Sequence, residues 1–318
     1  MKPFAFVFPG QGSQSVGMLD GWADHAQVRQ ALAEASDALG EDLGALIQEG
    51  PKEALALTTN TQPVMLVAGV AAYRVWMAEV GVAPRCVAGH SLGEYSALVA
   101  AGSLSLTQAA PLVRFRAQAM QDAVPVGQGA MAAILGLEAA KVVAGCAEVT
   151  SAMSQGALEV VEAVNFNDPG QTVIAGSKAA VEQACVVLKS MGAKRALPLP
   201  VSAPFHSSLM KPAALKLKAK LEETQFSSPH IDLINNIDVA VEHDADKLKD
   251  ALYRQAFGPV RWVECVQAIA ARGLNQVVEC GPGKVLAGMT RRINPELQGM
   301  PMFDVASLAE VKTVLENA

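Results

Sequence analysis

The chain has 318 residues, 51% of them apolar and 5% aromatic, with a formal net charge of −6. That length supplies ample core for one large domain or two smaller ones. The mild acidity, with no basic cluster, leaves no electrostatic footprint for nucleic acid. Five cysteines, an odd number with no C-x-x-C spacing, predict buried free thiols in a reducing compartment rather than a disulfide framework. The apolar run before Pro9 is too short for a signal-peptide core. No stretch reaches the ~18 uninterrupted apolar residues of a membrane span. A cytoplasmic protein with no membrane segment is expected.

The first strand, FAFVF, ends in the glycine-rich loop PGQGSQ. Helical patterning follows over roughly residues 24–40, and a long apolar helix is expected to open near Gln62 and Pro63, since proline favours the first helical position. PRCVAG reads as a buried strand and SLGEYSALVAAG as the helix after it. LTQAAPLVRFRAQAMQDA forms another helix carrying Arg114 and Arg116, with Pro111 at or near its start. Composition then changes. AMAAILGL, EAAKVVAGCAEVTSA, ALEVVEAVNFNDPGQTVIAGS, SKAAVEQACVVLKSMGA and KRALPLPVS read as strand, helix, two strands turning at Asp168–Pro169–Gly170, helix and strand. That βαββαβ order predicts a ferredoxin-like unit, residues 128–199, inserted between two parts (1–127 and 200–318) of a larger α/β domain. The larger part resumes at SAPFHSSLMKPAALKLKAKL and continues through a strand near IDLINNID, a helix at DALYRQAF and the strand–turn–helix NQVVECGPGKVLAGMTRRI.

Within this frame GHSLG, residues 89–93, places Ser91 between two glycines at a strand-to-helix turn. A G-x-S-x-G segment there is a nucleophile elbow, which projects the hydroxyl from the end of a sheet beside free helix N–H groups. A serine needs a base to take its proton. Of five histidines, His25 and His243 lie in polar segments, His230 adjoins Pro229, and His90 is sequence-adjacent to the serine and points elsewhere. His206 remains, in a loop at the sheet's carboxyl edge where α/β sites form. No acid between Ser91 and His206 (Asp122, Glu138, Glu159, Glu162, Asp168 or Glu182) has an evident place beside the elbow. A Ser–His dyad leaning on a neutral acceptor is therefore expected. Leu92 and the Gly10–Gln11–Gly12 loop are candidates for the two N–H groups of an oxyanion hole. That loop is no dinucleotide fingerprint, because position 15 is serine, and no phosphate-cradling G-x-x-x-x-G-K-[ST] occurs. Arg116 suits bidentate grip of a carboxylate. In a serine-acylating pocket it would select an acyl group that carries one.

FPGQGSQ at 8–14, NTQP at 60–63, GHSLGEYSAL at 89–98, NFNDPGQTVIAG at 165–176, FHSSLM at 205–210 and ECGPGKVL at 279–286 occur in the order typical of malonyl-CoA:acyl carrier protein transacylases. The chain resembles that family over nearly its whole length. The resemblance implies an α/β-hydrolase-like fold with a ferredoxin-like insertion, Ser91 as nucleophile, His206 as base, the Gln11 and Leu92 amides as oxyanion hole, and Arg116 on the malonyl carboxylate. It implies Gln255 as the residue whose main-chain carbonyl holds the histidine, and Gln62, Asn165 and Asn167 as further pocket residues. Phe205 is similar to malonyl-selecting relatives that crowd an α-methyl group, although APFH is not general to the family. Malonyl-CoA and acyl carrier protein are the implied substrates, with no metal or other cofactor, and a monomer is expected. A serine thioesterase, an acyltransferase of polyketide synthesis, and a non-catalytic scaffold are the competing readings.

Overall fold

A computed structural model describes residues 1–153, 159–201 and 203–317. The strands are β1 (Phe4–Phe8), β2 (Cys86–Gly89), β3 (Gly129–Leu135), β4 (Val161–Asp168), β5 (Gln171–Ser177), β6 (Arg195–Pro198), β7 (Asp232–Ile234), β8 (Gln276–Cys280) and β9 (Gln298–Met302). The first half carries helices α1 (Ala26–Leu39), α2 (Leu43–Glu49), α3 (Lys52–Ala56), α4 (Thr58–Glu79), α5 (Gly93–Ala100) and α6 (Leu106–Asp122). Then come α7 (Ala139–Met153), α8 (Lys178–Ser190), α9 (Lys211–Glu223), α10 (Ala245–Gln255), α11 (Trp262–Ala271), α12 (Val285–Ile293) and α13 (Val305–Glu316).

Two sheets organise these elements. One is parallel, in the order β7-β2-β1-β8-β9. Parallel strands are covered on both faces and read as continuous apolar runs. In β1, Phe4, Phe6 and Phe8 turn toward α4, where Phe6 meets Tyr73 and Trp76 edge-on. Ala5 and Val7 turn to the opposite core with Trp262, Cys265 and Ile269 of α11. The second sheet is antiparallel, in the order β4-β5-β3-β6. Its Ala132, Ile134, Val161 and Ile174 pack on α7 and α8, whereas Met131, Ala133, Val173 and Ala175 join the main core. The mixed α/β class and the βαββαβ element order agree with the sequence reading. The first residues of the stretch ALEVV, and Ser202 in the histidine loop, lie outside the described residues.

The start of one helix and the place of a proline in another differ from expectation. α4 begins at Thr58, so Pro63 sits in its second turn. An interior proline leaves the carbonyl four residues back without its donor, and here that carbonyl, on Thr59, accepts from Arg114 instead. Likewise α6 begins at Leu106, because Ser105 and Gln108 form a capping box that fixes the start ahead of Pro111. The five cysteines are free, as expected; four are buried and Cys185 is half-buried. Among the described residues no helix is long and apolar enough to cross a membrane.

Candidate active site

β2 runs into α5 through the elbow, and its glycines are sterically required. A Cβ on Gly89 would lie 1.9 Å from the Gly93 carbonyl carbon, and one on Gly93 would lie 2.1 Å from the Phe8 oxygen. The tight turn leaves Ser91 at φ 52°, in the left-handed region that non-glycine residues rarely occupy. Polar contacts hold it there. The Ser91 N–H donates to Asn236 Oδ1 at 2.7 Å, and Gln255 Nε2 donates to the Ser91 carbonyl at 3.0 Å.

His206 lies just before α9, also left-handed at φ 65° and 5% exposed. Its Nδ1 is 2.8 Å from the Gln255 main-chain oxygen, which can only accept. The ring proton therefore sits on Nδ1, and bare Nε2 faces Ser91 Oγ at 2.7 Å as the acceptor of the hydroxyl proton. Burial, reinforced by the positive charge of Arg116, holds this imidazole far below its usual range, at about 3. It is a neutral base at every ordinary pH. None of the six acids weighed from the sequence touches it. Asp168 pairs with Arg292 at 2.6 Å, and Glu162 accepts from the Ser208 N–H at 2.6 Å.

Arg116 projects from α6 into the same space and is 2% exposed. Nη1 donates to Gln62 Oε1 at 2.6 Å, and Nη2 reaches Gln255 Oε1 at 3.1 Å and Ser91 Oγ at 3.2 Å. The guanidinium carbon stands 5.5 Å from the centre of the Tyr95 ring. Nε has no partner. Among the described residues no carboxylate comes within ion-pair distance of Arg116. A buried cation without an anion marks a place where an anionic ligand group belongs.

These groups line a cavity of about 410 Å³ between the parallel sheet and the core-facing side of the antiparallel one. Gln11, Gln62, Leu92, Asn165, Asn167 and Phe205 all border it. The Gln11 side chain is pinned by the Thr58 hydroxyl at 2.5 Å. Two register shifts in β4, between Ala163 and Asn165 and between Phe166 and Asp168, fall at this segment, and such bulges re-aim side chains. Asn165 Oδ1 is buried without a partner, whereas Asn167 Oδ1 accepts from His90 Nε2 at 2.8 Å. His90 is thus committed away from the Ser91 hydroxyl, with its ring tilted against Trp262. Gln255, the remaining sequence candidate, stands behind His206 and Arg116, bonded to both.

Two further residues went unread in the sequence. Asn236 supports the elbow from the loop after β7. Glu94, 1% exposed at the start of α5, accepts from the Asn236 N–H and from Gln255. Burial pushes the Glu94 carboxyl up to about 7 against the opposing pull of those amides and of Arg116. The available signal was a lone acid in the apolar stretch SLGEYSALVAAG. Among the described residues no group of three or more His, Cys, Asp or Glu side chains is arranged to hold a metal.

An elbow serine hydrogen-bonded to a neutral histidine, beside a buried arginine, defines an acyl-transferring site. The chain belongs to the acyl transferase domain family, whose pattern it matches over residues 5–309. It is 51% identical over 310 residues to the malonyl CoA-acyl carrier protein transacylase of Escherichia coli, covering 97% of this chain and 98% of that one. The crystal structure of an acyl-carrier-protein S-malonyltransferase from Burkholderia pseudomallei is 62% identical and superposes with a TM-score of 0.94, over 98% of this chain and 100% of that one. A malonyl-transacylase solved in complex with its type II PKS acyl carrier protein is 51% identical, with a TM-score of 0.94 over 100% of both chains.

Proposed function

We propose that the protein transfers a malonyl group from malonyl-CoA to the phosphopantetheine thiol of acyl carrier protein, supplying extender units for fatty-acid synthesis. The observation that carries this reading is the buried Arg116, which has no carboxylate partner among the described residues and lies 3.2 Å from the Ser91 hydroxyl. An acyl chain held at its far end by that guanidinium has its thioester carbonyl at the serine.

Ser91 Oγ attacks the carbonyl as its proton passes to His206 Nε2, and the tetrahedral oxyanion lies between the Gln11 and Leu92 amides. Collapse breaks the C–S bond, and the imidazolium returns its proton to the CoA sulfur, leaving a malonyl-serine ester. The carrier thiol then gives its proton to the same histidine, attacks the ester and releases Ser91. The Gln255 carbonyl keeps the imidazole oriented in both halves, in the place an acid holds in other triads. Gln62 steadies Arg116, Asn165 and Asn167 border the route for the pantetheine arm, and Phe205 narrows the space beside the malonyl α-carbon. The cycle requires no cofactor.

The two sheets support a division into an α/β-hydrolase-like part, residues 1–127 and 200–318, and an inserted part, residues 128–199. The antiparallel order β4-β5-β3-β6 is that of a ferredoxin-like unit.

Incubation with radiolabelled malonyl-CoA and no acceptor tests the reading. A stoichiometric label on Ser91 that discharges when holo carrier protein is added is expected. Continuous release of malonate would make the protein a hydrolase, and undiminished transfer by Ser91→Ala would remove the nucleophile assignment.

A further inference from the structure

One buried oxygen, Glu94 Oε2, joins the two halves of the site. It accepts from the Asn236 main-chain N–H at 2.9 Å and from Gln255 Nε2 at 3.1 Å. Asn236 grips the elbow from below: its Oδ1 takes the Ser91 N–H at 2.7 Å, and its Nδ2 donates to the Gly89 oxygen at 2.7 Å. Gln255 holds everything opposite. Its main-chain oxygen fixes His206, its Nε2 donates to the Ser91 carbonyl, and its Oε1 accepts from Arg116 at 3.1 Å.

The direction of the Gln255 amide therefore matters. The two ends of a carboxamide have the same shape, and only their neighbours decide which end donates. With Oε1 toward Arg116, the guanidinium finds an acceptor. Reversed, an NH₂ group would face a cation. Glu94 Oε2, which accepts at both of its bonds, acts with the Ser91 carbonyl to call for the nitrogen end of the amide, and the oxygen is left for the arginine. A carboxyl group at 1% exposure is expensive to bury unless its bonds repay the loss of water, and both bonds to Oε2 lead to the catalytic pair.

We propose that Glu94 is a positioning residue: it fixes the orientation of the Gln255 amide, which aims Arg116 at the acyl carboxylate, and it holds the Ser91 elbow in register with His206. This rests on the site reading above and adds to it the element that couples nucleophile, base and selectivity.

The test is Glu94→Gln, which preserves size and lets either end of the new amide meet Gln255. Transfer to holo acyl carrier protein is measured from malonyl-CoA and from acetyl-CoA, alone and combined with Gln255→Ala, which retains the main-chain carbonyl. Glu94→Gln is expected to lower kcat/KM for malonyl transfer about tenfold or more, the size of one hydrogen bond to a charged group, and to lower the malonyl-to-acetyl ratio with it. Because Glu94 acts through Gln255, adding Glu94→Gln to Gln255→Ala is expected to change that ratio less than about twofold. A malonyl-to-acetyl ratio that falls further in the double variant than in Gln255→Ala alone, or one unmoved by Glu94→Gln, overturns the proposal. If Glu94→Gln does not fold, Gln255→Ala alone decides: an unchanged ratio overturns it. Ser91→Ala in the same assay separates the two levels. Transfer that survives Ser91→Ala removes the site reading itself, whereas loss there beside an unaffected Glu94→Gln removes only the positioning role.

Discussion

Replacing Arg116 by alanine tests how the pocket chooses its acyl group. Gln62, Gln255 and Ser91, all uncharged, accept one hydrogen bond each from the guanidinium; an acyl carboxylate that takes Nε–H together with the adjacent Nη2 hydrogen displaces one of the two Nη2 acceptors. At 2% exposure little water weakens those bonds. Two charge-assisted hydrogen bonds contribute about 1.5–3 kcal/mol each, and breaking a buried ion pair costs about 3–5 kcal/mol. At 1.36 kcal/mol per tenfold change, Arg116→Ala is expected to lower kcat/KM for malonyl transfer roughly 10²- to 10⁴-fold. Acetyl-CoA carries no carboxylate, so its transfer should change by less than about tenfold, through the loosening of Gln62 and Gln255. The assay is transfer to holo acyl carrier protein from each thioester, followed as carrier-bound acyl product, with thermal unfolding recorded in parallel. Equal losses for malonyl and acetyl would refute the argument and make Arg116 a structural residue.

The depressed imidazole gives a second prediction. Its folded value lies below the unfolded one, so it stays neutral, and available as base, as pH falls through about 6.5 toward about 3. Nitrogen-15 NMR of His206 in the free enzyme should show Nδ1 protonated and Nε2 bare throughout that interval; a titration midpoint above about pH 6 would contradict it. Gly93→Ala is a packing prediction: its Cβ would meet the Phe8 main-chain oxygen at 2.1 Å, and that oxygen has no side-chain freedom to move aside. Overpacking of that kind costs about 3 kcal/mol or more, which should lower Tm by roughly 5–10 °C in calorimetry. A Tm within about 1 °C of the parent would show that the elbow relaxes freely.

Ser91 was readable from its local motif, and His206, which the structure places 2.7 Å from it, from the elimination of the other histidines. GHSLG demands a strand before it and a helix after it, and the chain supplies both. The alternation of strands and helices from β3 to β6 was equally plain, since each element's apolar period runs over its full length. What stayed hidden was support across the fold. Asn236 meets Glu94 over a separation of 142 residues, through its main-chain N–H, which no side-chain pattern encodes. The start of α4 was missed for a related reason: Pro63 argues for a helix boundary unless something else takes the Thr59 carbonyl, and the donor, Arg114, lies on another helix. β9, five residues with a proline among them, offered too little pattern to be read, and the helix α13 behind it was passed over too.

The alternation along β3 has a consequence for how such a pocket can change. Met131 and Ala133 border the cavity, while Ala132 and Ile134 between them pack against α7 and α8. Successive positions of one strand thus answer to different demands, odd numbers to the acyl group and even numbers to the helical layer. Substitutions on the cavity side act on the main core, and those on the other side act on α7 and α8. The room available to the acyl chain can be recut, by mutation or by design, one residue at a time while the layer of α7 and α8 keeps its own packing.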